Sequence, residues 1–486
     1  MIKRTKIFPL LLVGIFFVYL VMSSSAINEK QMVYGDMQTQ YISKRVSQGL
    51  ILYEDISILY GPVIYHIGAF FLGLGTSYAG LKIVMLVVAV VSGILVYLIS
   101  NKVFDDKRIG VLATAIFMFL PIHYGVAPVF HPDSFAVLFA LASLYLLLTN
   151  RNIGIVTAGI FAVFAIFTKI PVAPLIIAPM IFFLIRKEKS GLFYFVPFLV
   201  LFLVGTMYIN SLDESNDNTE FILEFLFSNP DPPYEMLKDL MWIEGFVILV
   251  AIVGIIIYLK KEKKKSLLIF FAFSSPLAFA AILIRGVGIY EANYMEPFIA
   301  IFASYAIFYL KDRWVFKRGK KILPFLLIML IFVQITIFVW PDRERVADWD
   351  GNRWAKQANE IAEEHSNLLE KYSQKGDVVV ASPMAATITD RTMPLENSYI
   401  EMTKLKHEAD YQSAKDELSI LMDLIENKEI KMLISYNSTK RNDPKYNNFQ
   451  EKRFFPFYTK PFSDLLFQNY EKFEENGFYY YLPKGG

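Results

Sequence analysis

From Ile7 to Trp340 the chain is a succession of apolar runs, most of them 15 to 20 residues long, separated by short charged or turn-rich stretches. A helix needs about 20 mostly apolar residues to cross the hydrocarbon core of a bilayer. Candidate spans are 7–26, 81–100, 109–128, 134–149, 153–168, 170–186, 192–210, 241–259, 266–284, 289–310 and 322–340. A further run, 58–75, is broken by Gly61, Pro62, Tyr65, His66 and Gly68, which favours a half-buried or re-entrant segment. Composition agrees: 55% of residues are hydrophobic and 19% charged, against about 25% charge in soluble domains. The expected fold class is a polytopic α-helical membrane protein with about eleven transmembrane helices. Ser24-Ser25-Ala26 after the first run also resembles a signal-peptide cleavage site.

With no cysteine in the chain, disulfide scaffolds, thiolate nucleophiles and Cys-ligated metal centres are excluded. A net charge of +2 gives no electrostatic support for a nucleic-acid partner. The partner implied is membrane lipid, and the 43 Phe and 28 Tyr suit lipid contact and interfacial belts.

Basic residues cluster at Lys3/Arg4/Lys6, Lys102/Lys107/Arg108, Arg151, Arg186/Lys187/Lys189, 260–265 and 311–321. With eleven spans and 58–75 not crossing, every cluster falls on one side, which the positive-inside rule makes cytoplasmic. The expectation is a multi-pass plasma-membrane protein with a cytoplasmic N-terminus. Its domains are a membrane part, 1–340, with an outer loop at 27–57 and a juxtamembrane segment at 58–75, and an extracytoplasmic tail, 341–486.

This topology collects the unusual polar residues at the outer face. Loop 27–57 carries Asp36 and, in Leu52-Tyr53-Glu54-Asp55, two more acids, followed by Tyr60-Gly61-Pro62. A partly desolvated carboxylate at a bilayer surface can act as a general base; an ordinary solvated loop is the plainer reading. Lys169 ends an apolar run at Thr168-Lys169-Ile170-Pro171 and either meets an anion or snorkels. Arg285 stands alone before Tyr290, Glu291, Asn293, Tyr294 and Glu296. Arginine suits bidentate phosphate contact, while an ion pair to Glu291 or Glu296 would merely fix helix ends. Glu296 lies inside an apolar run and is a functional candidate on that ground. His131-Pro132-Asp133 opens a span; the pair could orient a substrate hydroxyl, or Asp133 could only cap the helix. Two such residues are too few for a metal site. His66 and His123 read as packing residues.

Taken in order, these pieces resemble the C-superfamily (GT-C) of lipid-phosphosugar-dependent glycosyltransferases. The likeness is greatest to family 39, which holds the protein mannosyltransferases and the lipid A aminoarabinose transferases. The resemblance covers roughly residues 5–310. It rests on Asp36, on Leu52-Tyr53-Glu54-Asp55 with Gly61-Pro62 and Tyr65, on Asp133, on Phe167-Thr168-Lys169 and on Asn293-Tyr294-Met295-Glu296-Pro297. Two departures stand out: Met37 follows Asp36 where the family often has a second acid, and Asn293-Tyr294 replaces an Arg-Tyr.

The resemblance implies an enzyme that moves a sugar from a polyprenyl-phosphate donor to a hydroxyl of a protein, lipid or glycan, with inversion. Asp36 would be the general base, and Lys169 and Arg285 would bind the donor phosphate. Glu54, Asp55, Tyr60, His131, Asp133, Tyr290, Glu291, Asn293, Tyr294 and Glu296 are the candidates for substrate contact. No Gly-rich phosphate loop or Asp-x-Asp motif is present, so no metal or cofactor is expected. A multi-pass lipid or solute transporter or flippase without transferase activity is the alternative.

The tail alternates helical and strand-like text. Helices are expected at 353–373, 409–427 and 461–474, and strands at 377–382, 431–436 and 477–482. This pattern predicts a small α/β domain with some parallel pairing, serving as a cover, an acceptor reader or a stabilising cap.

Overall fold

The computed structural model describes residues 7–24, 34–54, 58, 61–212, 233–261, 266–283, 289–314, 322–339, 363–380, 423–436, 460–475 and 478–485. The chain divides into two compact units, one of Met1–Gln31 with Tyr60–Arg353 and one of Met32–Leu59 with Trp354–Gly486.

The first unit is helical. Its helices are α1 (Ile7–Ser23), α3 (Pro62–Gly73), α4 (Tyr78–Phe104), α5 (Lys107–Phe119), α6 (Pro121–Val126), α7 (Pro132–Leu148), α8 (Asn152–Ile166), α9 (Ala173–Arg186) and α10 (Gly191–Leu212). They continue as α11 (Pro233–Lys261), α12 (Leu267–Leu283), α13 (Glu296–Trp314) and α14 (Ile322–Val339). Helix α2 (Tyr34–Ser47) belongs to the second unit.

A helix lies over each of the eleven apolar segments. Tyr78–Phe104, Gly191–Leu212 and Leu240–Lys261 are long and apolar enough to cross a membrane by themselves, and the other described apolar segments are shorter. The helices are apolar on all sides, as expected of elements that face either a core or lipid. Exposed Leu10, Val13 and Phe17 of α1, Leu184 of α9, and Leu192, Val204 and Met207 of α10 supply such a lipid-facing surface. The doubtful run 58–75 forms α3, only 12 residues. At 1.5 Å per residue that is about 18 Å, well short of a bilayer core of about 30 Å.

Helix ends follow local chemistry. Ser77 caps α4 by accepting from the Gly80 amide at 3.2 Å, and Asp106 caps α5 by accepting from the Arg108 amide at 2.9 Å. Pro132 occupies the first turn of α7, where its missing N–H costs nothing. Helix α4 packs against both α5 and α7, α7 packs against α8, and α13 packs against both α5 and α11. The α11–α13 approach is close: a Cβ on Gly254 would stand 2.0 Å from the Phe302 carbonyl oxygen. Only glycine allows the two backbones that near.

The second unit holds a four-stranded sheet built from β1 (Val379–Val380), β2 (Met432–Tyr436), β3 (Tyr470–Glu475) and β4 (Phe478–Pro483). The order is β1-β2-β4-β3, with β1 parallel to β2 and the other pairs antiparallel. Ile425, Ile430, Leu433, Leu466, Tyr470 and Tyr481 make its core. One expectation fails here. Residues 470–475 are a strand and not the end of a 461–474 helix, which stops at Asn469. The sequence held the reason: Asn476-Gly477 is a hairpin signal, and it pairs β3 with β4. Residues 353–362 and 409–422 of the expected tail helices lie outside the described residues; 363–372 and 423–426 are helical.

Candidate active site

Three segments far apart in sequence, 131–133, the Lys169 break and Tyr294, meet at Asp133. Lys169 places Nζ 2.7 Å from Asp133 Oδ1. The Tyr294 hydroxyl donates to the same oxygen at 2.6 Å. His131 Nδ1 stands 2.7 Å from Oδ2. Asp133 is 0% exposed and Lys169 5%.

Each partner is fixed by its own backbone. Asp133 sits in the first turn of α7, yet its side chain makes no cap; it turns to Lys169, Tyr294 and His131 instead. The capping alternative is thereby replaced by a network. Lys169 occupies the break between α8 and the short 3-10 turn Ile170–Val172, with extended backbone. That break is gripped from outside by the Gly61-Pro62 motif. Gly61 N donates to Thr168 O and Val63 N to Phe167 O, both at 3.2 Å. A Cβ on Gly61 would lie 1.9 Å from the Phe167 oxygen, so glycine is required there. Tyr294 ends the 3-10 turn Ile289–Tyr294, which runs directly into α13.

A second polar cluster adjoins through residues 293–296. The His123 amide donates to Glu296 Oε1 at 2.8 Å, and the Ile122 amide to Glu244 Oε1 at 3.2 Å. His123 Nδ1 lies 3.1 Å from Asn293 Oδ1, with its ring on Phe117 at 4.0 Å. Glu244, Glu296 and Asn293 are all 0% exposed.

Buried charge in an apolar bundle is costly, and a buried ion pair is commonly no more stabilising than apolar residues of the same volume. Ionisable groups held inside a membrane domain are candidates for a working site on that ground. What Asp133 does chemically is hold an ammonium, an imidazole and a phenol in one fixed constellation.

Of the residues singled out in the sequence, His131, Asp133, Lys169, Asn293, Tyr294 and Glu296 are buried, and the network joins all six. Asp36 lies on α2; its side chain is outside the described residues, as are those of Tyr290 and Glu291, whose backbones form the 289–294 turn. Glu54 is exposed. Asp55, Tyr60 and Arg285 lie outside the described residues. His66, read as a packing residue, is exposed on α3, and His123 is a network member.

Three buried ionisable residues were missed. Glu244 and Lys82, on α11 and α4, are 0% and 1% exposed. Each is a charge within an apolar run, the same signal that flagged Glu296. His123 carried no such signal.

Residues 60–209 match the family described as dolichyl-phosphate-mannose-protein mannosyltransferase. Over the whole chain, the fold aligns with ArnT from Cupriavidus metallidurans bound to undecaprenyl phosphate. The TM-score is 0.60 at 10% identity, covering 98% of this chain and 97% of that one. The fold is that of the GT-C glycosyltransferases. AglB, an oligosaccharyltransferase from Archaeoglobus fulgidus in complex with an inhibitory peptide and a dolichol-phosphate, aligns with TM-score 0.51 at 11% identity, covering 98% and 74%. The mycobacterial arabinofuranosyltransferase AftD aligns with TM-score 0.52 at 10% identity, covering 98% of this chain and 40% of that one. Comparison with curated protein sequences gives no match. The GT-C resemblance read from ordered motifs is thus borne out, and the family match spans Gly61, Lys82, Asp133 and Lys169.

Proposed function

We propose that this protein transfers a sugar from a polyprenyl-phosphate donor to an acceptor hydroxyl at the outer face of the plasma membrane. The observation that carries this reading is the convergence of Asp133, Lys169 and Tyr294, from three separate segments, in the interior of a GT-C fold. Structures of this fold hold undecaprenyl phosphate or dolichol-phosphate. The membrane part crosses eleven times, with a cytoplasmic N-terminus and the tail outside.

In this scheme the donor phosphate is met by Lys169, aimed by Asp133, together with Arg285. As the bond between the anomeric carbon and the phosphate oxygen breaks, negative charge grows on the phosphate, and fixed cations stabilise it without reorganising. Asp36 takes the proton of the acceptor hydroxyl as its oxygen bonds the anomeric carbon from the opposite face, inverting that centre. The polyprenyl phosphate leaves as the second product. Lys82, a buried ammonium on α4, is a further candidate for the lipid phosphate.

The test offers the purified full chain, in lipid vesicles, a panel of radiolabelled polyprenyl-phosphate sugars and follows label leaving the lipid. Transfer by the wild type and its loss in Asp36→Asn, with lipid binding kept, is the expected result. No release from any donor, or full release by D36N, overturns the assignment.

A further inference from the structure

Glu244 and Glu296 come from different helices, yet they accept hydrogen bonds from consecutive amides, those of Ile122 and His123. Because those two amides are neighbours in one turn of backbone, the two carboxyl groups are neighbours as well. Each carboxyl group lies close enough to feel the other. Both residues are 0% exposed. Among the described residues no other donor reaches Oε2 of either, so no lysine or arginine neutralises the pair there.

Ionised carboxylates only accept hydrogen bonds, so two that adjoin can bond only with a proton on one. Two like charges side by side in an apolar interior do not coexist either. What the pair holds together is the frame of the active site. Glu244 ties α11 to the start of α6, and Glu296 ties α13 to the same turn. Asn293, on the same stretch as Glu296, reaches His123 of that turn. Between Asn293 and Glu296 stands Tyr294, whose hydroxyl meets Asp133.

We infer that Glu244 and Glu296 act as one positioning unit, a carboxyl pair that holds a single proton and sets Tyr294 on Asp133. The unit acts through Tyr294 and not by touching substrate. This inference rests on the transferase reading for its consequence in turnover, and on geometry alone for the pair itself.

Two measurements test it. Infrared spectra of the purified full chain at neutral pH should show a protonated-carboxyl band that Glu244→Gln/Glu296→Gln lacks; an identical band in both overturns the shared proton. Glu244→Gln keeps an acceptor for the Ile122 amide and a donor to Glu296, so transfer should stay within about threefold of wild type. A loss above about tenfold in a folded E244Q would point to a cation between two carboxylates and overturn the inference. Glu244→Ala should lower kcat about tenfold or more with KM little changed, and E244A/Y294F should be no worse than the poorer single variant, because both break one link. Losses that multiply overturn the link to Tyr294. The same cycle read by thermal unfolding needs no turnover, and neither does the infrared comparison. Should the wild type transfer no sugar, both would still decide the pair.

Discussion

Lys169 and Asp133 lie 36 residues apart in sequence and 2.7 Å apart in space, with both side chains sealed from solvent. The apolar bundle leaves Lys169 few ways to carry its charge, and Asp133 supplies one. Removing one partner leaves the other as an uncompensated buried charge, which costs about 3–5 kcal/mol. Asp133→Leu or Lys169→Met alone should lower the unfolding temperature in detergent markedly. The pair D133L/K169M should recover most of that stability while transferring no sugar. If the double variant is as unstable as the singles added together, the two residues are not coupled as the geometry shows.

Tyr294 donates to Asp133 at 2.6 Å. A hydrogen bond to a charged group contributes about 1.5–3 kcal/mol. Tyr294→Phe removes this one bond and keeps the ring, so folding should survive. Single-turnover transfer should slow by about 10- to 100-fold. An unchanged rate would confine Tyr294 to packing.

Gly61 grips the break that carries Lys169. Gly61→Ala must push Phe167 back from a 1.9 Å clash, and overpacking of this kind costs about 1–3 kcal/mol. Transfer should fall more than stability, because the displaced backbone leads directly into Lys169. Thermal unfolding and kcat measured on the same preparation separate the two; a variant that loses stability alone would make Gly61 a packing residue.

The second unit carries its own titration. Burial pushes the His365 imidazole down to about 3, against about 6.5 unfolded. A native imidazole that stays neutral contributes fully above pH of about 6.5, and that contribution is lost as the pH falls toward about 3, because the unfolded chain binds the proton first. The slope approaches about 1.4 kcal/mol per pH unit. Pulse proteolysis of the full chain between neutral and mildly acid pH should show the 363–485 segment destabilised on the acid side. His365→Gln should flatten that dependence. An equally steep decline in H365Q would place the proton uptake elsewhere.

The apolar runs, the short helix within 58–75 and the strands near 378, 432 and 478 were legible in the residues because each depends on local pattern. Apolar length sets helices, and alternating apolar text bounded by turn residues sets strands. The Asn476-Gly477 signal was equally local, and giving it less weight than the helical text before it misassigned 470–475. Asp133, Lys169, Asn293, Tyr294 and Glu296 could be singled out as polar residues out of place in apolar surroundings.

Their partners could not be read in this way. A lone charge in an apolar run announces that it needs a counter-group but carries no address for it. The ion pair of Asp133 with Lys169, the grip of Gly61 on Phe167 and the meeting of Glu244 with Glu296 span 36, 106 and 52 residues respectively. Sequence alone marked side chains that had to be satisfied, since a polar group set in an apolar run is a property of the chain text. Tertiary structure decided who satisfies whom, because that depends on how helices α7, α8, α11 and α13 pack, and close packing is settled by the whole set of facing side chains at once.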